Sequence, residues 1–114
     1  MQNERETFLD DVVTTAVESE QVNDWATIQS YKWRRVRVHA TLTADDTDNP
    51  ITHRVDAKVI AAGFDALRDP QVDVNPAMRG SMLAAEVECD AGAIDANDAD
   101  VLVQLGLFGQ IVYA

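Results

Sequence analysis

Cysteine is nearly missing from this chain. Cys89 is the one thiol in 114 residues, so an internal disulfide and a cysteine-based zinc site are both excluded. Three prolines and five glycines are too few for a low-complexity or disordered chain. No apolar run approaches the ~20 residues that span a bilayer. The first eleven residues carry four acids and one arginine where a secretory leader is basic and then apolar, so a cytoplasmic location without membrane association is expected. Lysine is scarce too: Lys32 and Lys58 join seven arginines against twenty acids, for a net charge of −11. A surface of that sign repels phosphate backbones, and direct nucleic-acid binding is not expected.

What remains points to one domain over residues 1–114, with an apolar share of 46% that can fill a core. Asn3, with Glu6 three positions later, is a helix-start signature. Phe8, Leu9, Val12, Val13, Ala16 and Val17 then recur at helical spacing, leaving Glu6, Asp10, Asp11, Thr14 and Glu18 on an opposite, acidic face. Asn23 or Asp24 is expected to cap a short turn through Trp25 and Ile28. Residues 33–43 alternate, with Val36, Val38, Ala40 and Leu42 on one side and Arg35, Arg37, His39 and Thr41 on the other.

A turn over 45–50 leads to a second strand carrying Ile51, Val55, Ala57 and Val59 on one face. Pairing Ala44 with Ile51 joins both apolar sets, sets His39 opposite Asp56 and turns His53 inward. A short helix is expected around Gly63, then an irregular connection over 68–80 with a helix start available at Pro76. Residues 81–90 alternate Leu83, Ala85, Val87 and Cys89 against Glu86, Glu88 and Asp90, which predicts a strand in a composition that also tolerates helix. Asp95, Asn97, Asp98 and Asp100 open a buried last helix ended by Gly109, and 110–113 form a short terminal strand. The predicted fold is α+β: an N-terminal amphipathic helix, a mainly antiparallel sheet of about four strands, a buried C-terminal helix and a short terminal strand.

The chemistry is sparse. Cys89 lies between Glu88 and Asp90, whose charge opposes a thiolate, so a structural thiol on the apolar face is expected. His39 opposite Asp56 resembles a base with its orienter, but no nucleophile can be placed beside it. Asp45, Asp46, Asp48 and Asn49 lack the glycine and glutamate of a calcium loop, and the acids at 95–100 fit helix capping. Neither zinc spacing, a P-loop nor a GxGxxG turn occurs. No catalytic residue, metal or cofactor is therefore expected. The basic row of Arg35, Arg37 and His39 is expected to face Glu86, Glu88 and Asp90 as cross-strand pairs.

These features point to a non-enzymatic acidic protein that binds another protein. Glu6, Asp10, Asp11 and Glu18, or Asp95, Asp98 and Asp100, would present a phosphate-like potential to a basic DNA- or RNA-binding partner and inhibit it. In composition, though not in motif, the acidity resembles that of DNA-mimic and anti-defence proteins encoded by phages and plasmids, a resemblance that transfers no site residue. Two alternatives stand beside it. One is a structural or assembly subunit of a viral or other complex, using the Phe8 stripe or the apolar C-terminal strand; the other is a small ligand-binding protein or enzyme with a site near His39, Asp56 and His53. Homo-oligomerisation is open, and salt adaptation or solubility also accounts for high Asp with low Lys.

Overall fold

Side chains that accept from otherwise orphaned amides begin the main helices. In the computed structural model, which describes residues 3–34, 37–45 and 51–113, Asn3 Oδ1 accepts from the Glu6 amide at 2.8 Å and opens α1, Glu4–Val17. Phe8, Leu9, Val12, Val13, Ala16 and Val17 are all buried, as their spacing predicts. The next cap is Ser19, and neither Asn23 nor Asp24: its hydroxyl accepts from Val22 N at 3.2 Å and starts the single turn α2, Glu20–Asn23. Ile28 lies beyond that turn in a strand, β1, Ala26–Arg34.

Strand β1 pairs antiparallel with β2, Arg37–Ala44, which pairs antiparallel with β3, Thr52–Asp56, in the order β1-β2-β3. Val38, Ala40, Leu42 and Ala44 are buried along β2. The expected register holds, with His39 opposite Asp56 and Leu42 opposite His53. The expected positions of Arg35 and Val36 and of the turn residues Asp46, Asp48 and Asn49 lie outside the described residues. Ile51, assigned inward by alternation, precedes the strand and is 67% exposed.

The second strand stops sooner than alternation suggests, because Asp56 turns the chain. Its Oδ1 accepts from Lys58 N at 3.0 Å and Val59 N at 3.3 Å, so Ala57 and Val59 belong to α3, Ala57–Arg68. Ile60, Phe64 and Leu67 form the buried stripe of that helix.

Residues 81–90 are helical, not a strand. Asn75 accepts from Ala77 N and Met78 N, Pro76 fills the first turn where no amide partner is needed, and α4 runs Pro76–Glu88. Met82, Ala85 and Glu86 are its buried residues, a helical spacing, whereas Val87 is 84% exposed. Cys89 ends the helix in the left-handed region at φ 51°. A β-branched residue there would be strained.

A 3-10 turn, Ala91–Ala93, leads to α5, Ala96–Phe108, opened by a reciprocal cap between Asp95 and Asp98 and closed by Gly109 at φ 74°. Every residue from Ala99 through Leu105 is buried, because α5 packs on α1, α2 and α3. Residues 110–113 do not form the expected terminal strand. The sheet has three strands among the described residues, and the α+β class holds.

Candidate functional site

Two of the seven carboxylates expected to meet a partner lie inside. Asp10 is 3% exposed, with Oδ2 3.0 Å from Arg37 Nε; the wall of β2 covers a wider arc of α1 than its six apolar residues mark. Asp100 is the other, under Trp25. Glu6 is half-exposed and stands 3.5 Å from Arg37. Arg37 therefore answers α1 and does not face Glu86, Glu88 and Asp90. Glu86 is buried and accepts from Arg5 at 3.1 Å and from Arg68, tying α4 to α1 and α3, while Glu88 and Asp90 are exposed. With the arginines half in water, each pair contributes no more than about 1 kcal/mol.

Asp11 and Glu18 are exposed as expected. Glu4, which helical alternation did not mark out, joins them: positions 4, 11 and 18 are seven apart and drift only ~20° per step around the helix. Glu20 and Asp24 extend the exposed acids across α2, Asp24 standing just past its end. At the other cluster, Asp95 N donates to Asp98 Oδ2 at 3.2 Å and Asp98 N to Asp95 Oδ1 at 2.8 Å, so both serve the cap of α5. Burial raises the Asp98 carboxyl above its usual range, and the charge of Asp95 acts in the same direction.

Asp100 accepts from Trp25 Nε1 at 2.7 Å and from Gln104 Nε2 at 3.2 Å. Burial pushes its carboxyl up and Asp24 adds to that, while the two hydrogen bonds oppose it. The folded state thus holds this proton more tightly than the unfolded chain. Its contribution to stability is greatest at low pH and declines as pH rises from the ordinary carboxyl range through the raised value. Asp100→Asn should gain on the parent over that interval in denaturation midpoints taken from pH 4 to pH 7, and equal slopes for the two proteins would refute the assignment.

The outward face of the sheet carries the opposite sign. Lys32, His39 and Asp56 lie side by side across the three strands. Arg37, His39, Arg54, Asp56 and Lys58 line a cavity of about 290 Å³. Asp56 is engaged twice, capping α3 through Oδ1 and accepting from Arg54 Nε at 3.1 Å through Oδ2. His53 lies elsewhere, edge-on to Phe108 with ring centroids 5.4 Å apart, so the expected trio of His39, Asp56 and His53 is split between the two faces. Neither a hydroxyl nor a thiol lines the cavity among the described residues.

No group of three His, Cys, Asp or Glu side chains is placed to hold a metal among the described residues, and none of their helices is long and apolar enough to cross a membrane. Comparison with protein-family models, curated proteins and solved structures finds no match to this chain.

Proposed function

We propose that this protein is a non-enzymatic cytoplasmic inhibitor that offers its acidic helical face to a basic DNA- or RNA-binding protein, as a phage or mobile element would require. One observation carries the reading. Arg5, Arg37, Arg54 and Arg68 are ion-paired and Arg79 is turned onto backbone carbonyls, whereas Glu4, Asp11, Glu18, Glu20 and Asp24 are exposed with no cation partner among the described residues. The negative charge is thereby left to the surface, where it steers a basic partner. Glu4, Asp11 and Glu18 rise ~10.5 Å per step along α1, close to three base-pair rises of ~3.4 Å. A DNA strand winds away from a straight helix, so the imitation lies in potential over ~21 Å and not in atomic positions.

The test neutralises Glu4→Gln, Asp11→Asn and Glu18→Gln together. Immobilised protein should retain a basic nucleic-acid-binding protein from nuclease-treated source lysate, and the triple variant should slow its association about tenfold at low salt. Retention indifferent to both salt and the three carboxylates would sink the proposal.

The assembly reading is supported by a different observation. Ile111 and Val112 are exposed, and Ile111 borders a cavity of about 620 Å³ with Val72 and Val74. If Ile111→Ser with Val112→Ser abolishes capture while the charge variant is silent, the protein is an assembly subunit.

A further inference from the structure

We infer that the cationic end of the open sheet face is a binding site for the phosphate of a small phosphate ester. The inference is independent of the acidic-face proposal and concerns the other side of the charge balance. In a chain with twenty acids and nine bases, three of the bases, Arg37, Arg54 and Lys58, converge on one cavity of about 290 Å³, and His39 lies between them. Lys32 is beside His39 in the neighbouring strand. Among the described residues Asp56 is the one acid in the lining, and both of its oxygens are occupied.

The arginines are oriented in advance. Arg37 is held through Nε by Asp10 at 3.0 Å, with Nη1 3.5 Å from Glu6, and Arg54 through Nε by Asp56 at 3.1 Å. The terminal nitrogens of Arg54 have no partner among the described residues, and that edge of a guanidinium fork is the one that grips a phosphate in bidentate fashion. Lys58 forms no ion pair among the described residues and supplies a point charge. The first amides of α3 are already capped by Asp56, so the site stands on side chains and not on the helix terminus.

The cavity size fits a phosphate with a sugar-sized body, at the small end of ligand sites of ~300–1,000 Å³. Beyond the cations, Thr41 and Thr43 of β2 continue the face of His39, with Ser30 and Thr52 beside them in register. Ser30 and Thr41 bond each other at 2.8 Å and Thr43 accepts from Gln29 Nε2 at 3.1 Å, and the lone pairs these hydroxyls keep suit a polyhydroxylated ligand body. Duplex nucleic acid is not the ligand, because the acidic remainder of the surface repels a long phosphate backbone.

The test titrates the isotope-labelled full chain with inorganic phosphate, ribose 5-phosphate and adenosine monophosphate, against sodium chloride at matched ionic strength. Saturable changes at the His39 ring and the Arg54 and Lys58 amides are expected at millimolar ligand or below, with His53 unmoved. Lys58→Ala, an exposed change that spares the fold, should weaken binding severalfold, and Lys58→Ala with Arg54→Gln at least tenfold. Tighter binding of the esters than of phosphate assigns the hydroxyl row to the ligand body; equal binding assigns the site to the phosphate group alone. Shifts matched by chloride, shifts indifferent to both variants, or shifts that follow protein concentration and mark a second copy would each overturn the inference.

Discussion

Gly106→Ala is expected to lower stability by about 3 kcal/mol or more, a large part of what holds a domain of this size folded. A Cβ built on Gly106 would fall 2.1 Å from the carbonyl oxygen of Val59, and one on Gly63 would fall 2.3 Å from that of Leu102. The two glycines thus let α3 and α5 cross with backbone against backbone. No rotamer change relieves a clash with a carbonyl, so one helix must move away and open the core around Ile60, Phe64 and Leu102. Alanine returns only ~0.5–1 kcal/mol of helix preference, and the clash wins. Gly63→Ala should behave alike. Gly80→Ala, where nothing lies within 4 Å of the added carbon, should stabilise by about 0.5 kcal/mol and serves as the control. Urea midpoints decide it: a Gly106→Ala protein as stable as its parent would mean that the two helices do not meet in this way.

Gln104→Leu is expected to cost about 2–4 kcal/mol and to release the chain after α5. The Gln104 side chain has no exposed surface. Its Oε1 accepts from Val112 N at 2.9 Å and Tyr113 N at 2.8 Å, and its Nε2 donates to Tyr113 O at 2.9 Å and to Asp100. One amide side chain thus supplies the hydrogen bonds that a neighbouring strand would have given these residues. Tyr113 is set by this arrangement onto Trp25, with rings 4.8 Å apart and 6° from parallel. Leucine fills the volume but leaves Asp100 short of a donor. Amide exchange at Val112 and Tyr113 should accelerate along with the drop in stability, and full protection of both in the variant would contradict the role given to Gln104.

Local signals in the sequence were readable where local physics decides. Asn3, Asp95 and Gly109 mark helix ends by capping chemistry, the Phe8 stripe marks a core face, and the alternation of Val38, Ala40 and Leu42 fixes the register that sets His39 against Asp56. Strand β1 was hidden because its pairing shifts between Ile28 and Ser30, so Ile28 and Tyr31 fall three apart instead of two or four. The irregularity erases the period that would have announced a strand. In α4 the alternation of Leu83, Ala85, Val87 and Cys89 was an accident of an Ala- and Glu-rich helix whose buried positions are Met82, Ala85 and Glu86.

Asp10 and Glu86 looked like solvent residues because their arginines come from distant elements, Arg37 for one and Arg5 and Arg68 for the other. Spacing along the chain cannot match such partners. The cationic cleft was half legible: Arg37 and His39 share an outward face by period two. Lys58 reaches it only because Asp56 ends the strand and turns the chain into α3, where alternation alone carried the strand on to Val59.

The place of α5 in the chain sets the timing of folding during synthesis. Helices α1, α2 and α3 all rest on residues 96–108, so when α3 leaves the ribosome its apolar stripe still has no α5 to cover it. Forty residues separate Arg68 from Phe108, an interval of synthesis of roughly 2–8 s at ~5–20 residues per second. Throughout it the parts of α1 and α3 that pack on α5 lack their cover. The first 31 residues carry seven acids and one base, and they are made before α3 and α5. Mutual repulsion between identical acidic segments opposes association of such chains before α5 is made.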